Sequence, residues 1–181
     1  EYYRVDNMED YDQVYRAVAY FASKYGRIDR IESHNEYWLE LDARLRTDFN
    51  VFGYKNEDML AIKTKAKMKE IFRQSGLKVA RGQVFHSDDQ ARKLAQELGF
   101  PVIIKPNSGV GASDTYKIKS PKELEDFFTY QTPGVEYIME EFIDGDIVTF
   151  DGLTDHDGKI VFYASLEYSE AVLDTVEKDG D

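Results

Sequence analysis

Tyr11, Val14, Tyr15, Val18, Phe21, Ala22 and Tyr25 recur at helical spacing, which predicts an amphipathic helix stopped by Gly26. Asn7 is its expected N-cap, with Glu9 and Asp10 in the first turn, where the helix dipole favours anions. Short strands are expected over 2–5 and 28–32, and a second helix, capped by Asn35, carries Trp38, Leu39, Leu41, Ala43 and Leu45. An extended link follows over 50–53, and Asn56 is expected to cap a short turn running to 62. The next helix starts at 64 or 65 and ends at 75, with Met68, Ile71 and Phe72 inward and Gly76 as its C-terminal cap. This alternation reads as the tail of a small βα-type domain.

From Gly82 the pattern tightens. A strand over 82–86 leads into the capping box Ser87-Asp88-Asp89-Gln90, and Ala91, Leu94, Ala95 and Leu98 share one helix face closed by Gly99. Val102, Ile103 and Ile104 form a β-branched run suited to a buried strand. A strand over 115–118 precedes a second box, Ser120-Pro121-Lys122-Glu123, with proline at the first helical position and Leu124, Phe127 and Phe128 inward. A strand over 135–141 completes β-α-β-β-α-β, a lobe of roughly sixty residues. Strands over 147–153 and 159–168 then form a hairpin around Thr154-Asp155-His156-Asp157-Gly158. The fold class expected is mixed α/β and α+β.

Composition narrows the chemistry. A chain of 181 residues, 42% hydrophobic and 32% charged, can bury a core and hold one large or two small domains. No apolar run approaches the roughly 18 residues that cross a membrane, and no signal-peptide pattern is visible, so a membrane partner is not expected. The lack of cysteine excludes disulfides and thiolate metal sites, and agrees with a reducing, cytoplasmic location. A net charge of −12 argues against nucleic-acid binding. Locally the sign reverses: from Lys55 to Arg81 there are eight Lys/Arg against three Asp/Glu. The absent initial Met and the acidic end at Asp181 read as a piece of a longer protein.

Within this frame the stretch from Phe100 to Tyr116 carries the sharpest chemistry. Lys105 ends the apolar run, and a buried ammonium is costly without a partner. Pro106 stops the ladder, and Asn107, Ser108, Gly109, Gly111, Ala112 and Ser113 offer mainly backbone N–H groups and hydroxyls. Bare amides beside a lysine are a common way to hold a polyphosphate. Taken by itself the segment is equally a surface hairpin with a glycine turn.

Three stretches in order resemble the ATP-grasp superfamily of carbamoyl phosphate synthetase-like and biotin carboxylase-like carboxylate ligases. The first is Lys65-Ala66-Lys67-Met68-Lys69, followed by Gly76-Leu77. The second is Phe100-Pro101-Val102-Ile103-Ile104-Lys105-Pro106 with the loop from Ser108 to Thr115. The third is Met139-Glu140-Glu141-Phe142-Ile143-Asp144-Gly145. Asn35-Glu36 and Ala43-Arg44-Leu45-Arg46 resemble the end of the preceding pre-grasp domain. Each motif alone is weak, and the three in order around the expected lobe are specific. The implied organisation is a partial pre-grasp βα domain over 1–62, the lysine helix and lid lobe over 63–141, and the start of the C-terminal antiparallel lobe over 142–181.

The resemblance implies an ATP site. Lys65 and Lys105 would contact the α- and β-phosphates, where fixed ammonium groups act strongly in a partly dry cleft. Ser108, Gly109, Gly111, Ala112 and Ser113 would close over the β- and γ-phosphates. Glu140, Glu141, Phe142 and Ile143 would form the adenine linker, with the Glu141 carbonyl and the Ile143 amide reading the base and the side chains of those two residues mattering less. The implied reaction activates a small-molecule carboxylate with MgATP as an acyl phosphate for attack by an amine or thiol, and the resemblance allows a homodimer.

The sequence also departs from the pattern. Thr64 stands where the family usually has Asp, and Ile147 or Val148 falls where a glutamate holds the ribose. No E-x-N occurs after Glu141, so the Mg2+ ligands are expected beyond this chain and no metal ligand is assigned within it. His34, His86 and His156 sit singly, without ligand spacing. A nucleotide-binding module without ligase activity is the alternative reading.

Overall fold

The computed structural model describes residues 1–109 and 114–169. The chain divides into two compact units, Glu1–Ile71 and Phe72–Asp181.

The first unit is helical. Helix α1, Tyr11–Tyr25, buries Val14 and Ala17 and stops at Gly26. Its N-cap is Asp10, whose carboxylate accepts from the amides of Asp12 (3.1 Å) and Gln13 (3.4 Å). Asn7, the expected cap, lies a turn too early and instead accepts from the Glu9 amide at 2.9 Å. Asn35 behaves as expected, accepting from the Tyr37 amide at 2.9 Å to open a 3-10 turn, Glu36–Trp38, that runs into α2, Leu39–Asp48. Helices α3, Asn56–Lys63, and α4, Lys65–Gln74, follow.

The strands expected over 2–5 and 28–32 do not form. A strand needs a neighbour for its ladder, and the described residues of this unit include no strand. Side chains of α2 take up the polar groups of the second segment instead. Arg46 donates from Nε (2.9 Å) and a terminal nitrogen (2.6 Å) to the Ile31 carbonyl and lies 3.0 Å from Glu32. Asp42 accepts from the Ser33 amide at 2.9 Å and hydroxyl at 2.7 Å. Both side chains are buried, and both are hydrogen-bonded as buried charges must be.

Helix α4 also differs from expectation. Its apolar stripe is present, but no residue in it is buried, and Ile71 and Phe72 are exposed. Helical periodicity reports which face is apolar, not whether anything covers it. Its end is as expected: Gly76 adopts a φ of +80°, and Leu77 donates to the Phe72 carbonyl at 2.9 Å.

The second unit holds the β-α-β-β-α-β lobe. Strands β1 (Gly82–Phe85), β2 (Val102–Pro106), β3 (Tyr116–Ile118) and β4 (Tyr137–Glu141) form one antiparallel sheet in the order β1-β4-β2-β3. Helices α5, Asp88–Leu98, and α6, Pro121–Tyr130, supply Ala91, Leu94, Ala95, Leu124 and Phe127 to its core. Phe85, Val102, Ile104, Ile118, Tyr137 and Met139 complete that core from the sheet. Phe127 is its aromatic centre, with ring centroids 5.3 Å from both Tyr116 and Tyr137.

The two capping boxes form with one change. Ser87 and Ser120 accept from the amides of Gln90 and Glu123, each at 3.3 Å. Gln90 and Glu123 reach back to His86 and Lys119, one residue before the cap, each at 2.8 Å. Ser120→Ala should cost about 1 kcal/mol of stability in chemical denaturation, the usual loss for an N-cap hydroxyl. No measurable loss would show that Pro121 and the Glu123 contact suffice to start α6.

Strands β5, Val148–Thr154, and β6, Ile160–Glu167, pair as the expected antiparallel hairpin. Asp155 organises its turn by accepting from the amides of Asp157 (3.1 Å) and Lys159 (2.9 Å), with Gly158 at a φ of +79°. The hairpin's large apolar side chains, Phe150, Leu153, Phe162 and Leu166 among them, are exposed.

Candidate functional site

Strand register places the candidate residues. Directly opposed residues of an antiparallel ladder share a face. Gly82 opposes Glu140, Glu140 opposes Ile103, and Ile103 opposes Lys117, so these four form one row across all four strands. Val84, Ile138 and Lys105 form the next row. Successive side chains alternate between faces, so this face is the reverse of the one that carries Ile104 and Met139 to the helices.

Lys105 and Glu140 meet on that face. Lys105 Nζ lies 2.9 Å from Glu140 Oε2, with the carboxylate side chain 5% exposed and the lysine 25% exposed. The pairing is diagonal, between neighbouring rows, within reach of a long side chain. A lysine ending an apolar run needs a partner, and the structure supplies it from the third motif. Two residues singled out separately in the sequence therefore form one ion pair.

Gly82 makes room for this arrangement. Its φ is +155°, and a Cβ there would overlap the Met139 carbonyl oxygen and lie 2.7 Å from Glu140 Cα. Beside it, the Glu141 carboxylate accepts from the Arg81 amide at 2.8 Å and from Arg81 Nε at 2.7 Å, and the Glu141 amide donates to the Arg81 carbonyl at 2.9 Å. Both glutamates of this segment thus have side-chain partners of their own. Glu140 pairs with the phosphate-candidate lysine, and Glu141 locks β4 to the residue before β1.

Past β4, the Phe142 amide donates to the Pro101 carbonyl at 3.3 Å, and Ile143 is 63% exposed. At the other end of β2, Asn107 is buried; its amide donates to the Glu136 carbonyl at 2.8 Å and its side-chain nitrogen to Glu136 Oε2 at 2.5 Å. Asn107 anchors the point where the loop leaves the sheet, a role hinted at only by its place after Pro106. Ser108 and Gly109 are exposed, and Gly109 has a φ of +115°, which suits a backbone that must turn sharply. Gly111, Ala112 and Ser113 lie outside the described residues.

The structure therefore joins Lys105 to Glu140 on one face of the sheet; Glu141, Phe142 and Ile143 lie toward the end where β2 starts, and Ser108 and Gly109 leave β2 at its other end. Lys65, half-buried, opens α4 in the first unit. Among the described residues, no three His, Asp or Glu side chains are grouped to hold a metal ion. Among them too, no helix is long and apolar enough to cross a membrane.

The lobe is that of an ATP-grasp fragment. Residues 64–176 match the carbamoyl-phosphate synthase L chain, ATP binding domain, and the chain belongs to that family. It is 27% identical over 120 residues to the carbamoyl phosphate synthase large chain of Thermotoga petrophila, covering 65% of this chain and 11% of that protein. It is 28% identical over 185 residues to the L-arginine-specific L-amino acid ligase of Bacillus subtilis, covering 97% of this chain and 44% of the ligase. The chain thus spans less than half the length of these relatives.

Solved structures agree in fold. The L-amino acid ligase of Bacillus licheniformis superposes with a TM-score of 0.64 at 20% identity, covering 92% of this chain and 39% of the ligase. The biotin carboxylase domain dimer of Hydrogenobacter thermophilus 2-oxoglutarate carboxylase, in complex with MgADP, ADP and bicarbonate, superposes with a TM-score of 0.66 at 19% identity, covering 85% and 37%.

Proposed function

We propose that this chain is the ATP-binding part of a ligase that activates a small-molecule carboxylate as an acyl phosphate for attack by an amine or thiol. The observation that carries the reading is the Lys105–Glu140 pair at 2.9 Å, set at the base of the glycine-bearing loop. A carboxylate nearly removed from water holds the ammonium in one place, and a fixed positive charge offsets phosphate charge without reorganising. Ser108 and Gly109 would add hydroxyl and amide donors beside it. The linker after Glu141 would read the base through its backbone, which the Arg81 and Pro101 contacts hold in place.

ATP would supply the phosphoryl group, and the protein's part is positioning and charge neutralisation rather than covalent catalysis. The MgADP in the complex of the Hydrogenobacter domain supports ATP with Mg2+ as the cofactors. Lys65 would provide a second phosphate contact. The carboxylate specificity belongs to the whole polypeptide, and a homodimer is an expected assembly.

Calorimetric titration with ATP, followed by a phosphate-release screen over carboxylate and amine pairs on the full-length polypeptide, tests this reading. Saturable ATP binding and release that depends on both substrates are expected. A polypeptide that fails to bind ATP would overturn it.

A further inference from the structure

Lys117 lies on β3, three residues after Asp114, in the same row as Ile103 and Glu140. It belongs to none of the three motifs. Its side chain reaches the residue that follows β4: Nζ sits 3.5 Å from the centroid of the Phe142 ring. Both residues are half-buried, and a cation over a ring face gains strength as water is removed. Among the described residues Lys117 makes no ion pair with an acidic side chain, unlike Lys105 and Arg81, which face Glu140 and Glu141.

Phe142 is therefore held from two directions. Its amide donates to the Pro101 carbonyl, at the start of β2, and its ring lies under the Lys117 ammonium, on β3. The next residue, Ile143, is 63% exposed and is the one whose amide the nucleotide reading assigns to the base. Rotation about the bonds of Phe142 would move that amide directly. A ring clamped on its face removes this freedom, which is the kind of preorganisation that shows in ligand affinity.

We propose that Lys117 is a positioning residue for base recognition: its grip on the Phe142 ring fixes the linker that presents the Ile143 amide, while Lys105 serves the phosphates. This rests on the nucleotide reading above.

The test measures dissociation constants for ATP and for inorganic tripolyphosphate on the full-length polypeptide, with thermal melting as a check on folding. Lys117→Met should weaken ATP binding about three- to tenfold, the range a cation–π contact supports. Tripolyphosphate binding should change less than about twofold, because the base and not the phosphate is misplaced. Phe142→Leu should show the same split, and the double variant should lose little more than either single one, as for two members of one contact. Lys117→Arg should recover most of the ATP affinity, since a guanidinium also stacks on a ring.

Unchanged ATP affinity in folded Lys117→Met would overturn the proposal. So would a parallel loss for ATP and tripolyphosphate, which would make Lys117 a phosphate contact. Wild-type protein that binds neither ligand would sink the nucleotide reading together with this one. Wild-type ATP binding with unaffected variants would remove this inference alone.

Discussion

Lys105→Ala should lower ATP affinity at least tenfold, about 1.4 kcal/mol of binding free energy. The lysine is a fixed positive charge in a largely shielded position, where a phosphate contact is worth more than in water. The same substitution takes the ammonium away from a carboxylate that is 5% exposed. Breaking a buried ion pair by removing one partner typically costs about 3–5 kcal/mol. Lys105 is 25% exposed, so solvent screening should hold the stability loss below that range.

The two effects separate experimentally. Lys105→Ala combined with Glu140→Gln removes both charges of the pair, so it should recover part of the stability while ATP affinity stays low. An ATP titration unchanged by Lys105→Ala would refute the site. Recovery of binding in the double variant would show that the single change had acted through folding alone.

Gly82→Ala should be the most damaging small change in the second unit. A φ of +155° is strained for any residue with a Cβ, at about 1–3 kcal/mol. The added methyl would also overlap the Met139 carbonyl oxygen and press on Glu140 Cα at 2.7 Å, an overpacking cost of about 1–3 kcal/mol more. Both neighbours are backbone of β4, so neither can rotate away. The expected loss in denaturant unfolding is about 2–6 kcal/mol, the sum of the two.

Gly99→Ala is the control. Its φ is +80° with no atom within 4 Å of the added Cβ, so only the left-handed backbone penalty of about 1–2 kcal/mol applies. Equal losses at the two positions would mean that β1 shifts easily and that the row from Gly82 to Lys117 is not a rigid frame.

Elements were legible in the chain wherever a local rule sufficed. The apolar spacing of Ala91, Leu94 and Ala95, the serines at 87 and 120, and Gly26, Gly76 and Gly99 mark helices that form close to the expected limits. The hairpin turn at Asp155 to Gly158 is equally local. Expectations failed where formation depends on a distant partner. Residues 28–32 have a strand's composition but no ladder, and Arg46 binds the Ile31 carbonyl instead while Asp42 holds the adjoining Ser33. Asn7 and Asp10 are both good caps by type, and the actual path of the chain chose Asp10.

The site divides in the same way. By itself the sequence determined that Lys105 ends an apolar strand-forming run, that small residues follow it, and that Glu140 to Ile143 close the lobe, because residue type and order carry that information. Only the tertiary structure decided which side chains meet. Register set Lys105 against Glu140, Arg81 against Glu141, and Lys117 over Phe142. Those pairs join residues many positions apart, and an antiparallel register shifted by one residue would turn each strand's set of side chains to the opposite face. The core residues that hold the register therefore place the chemistry.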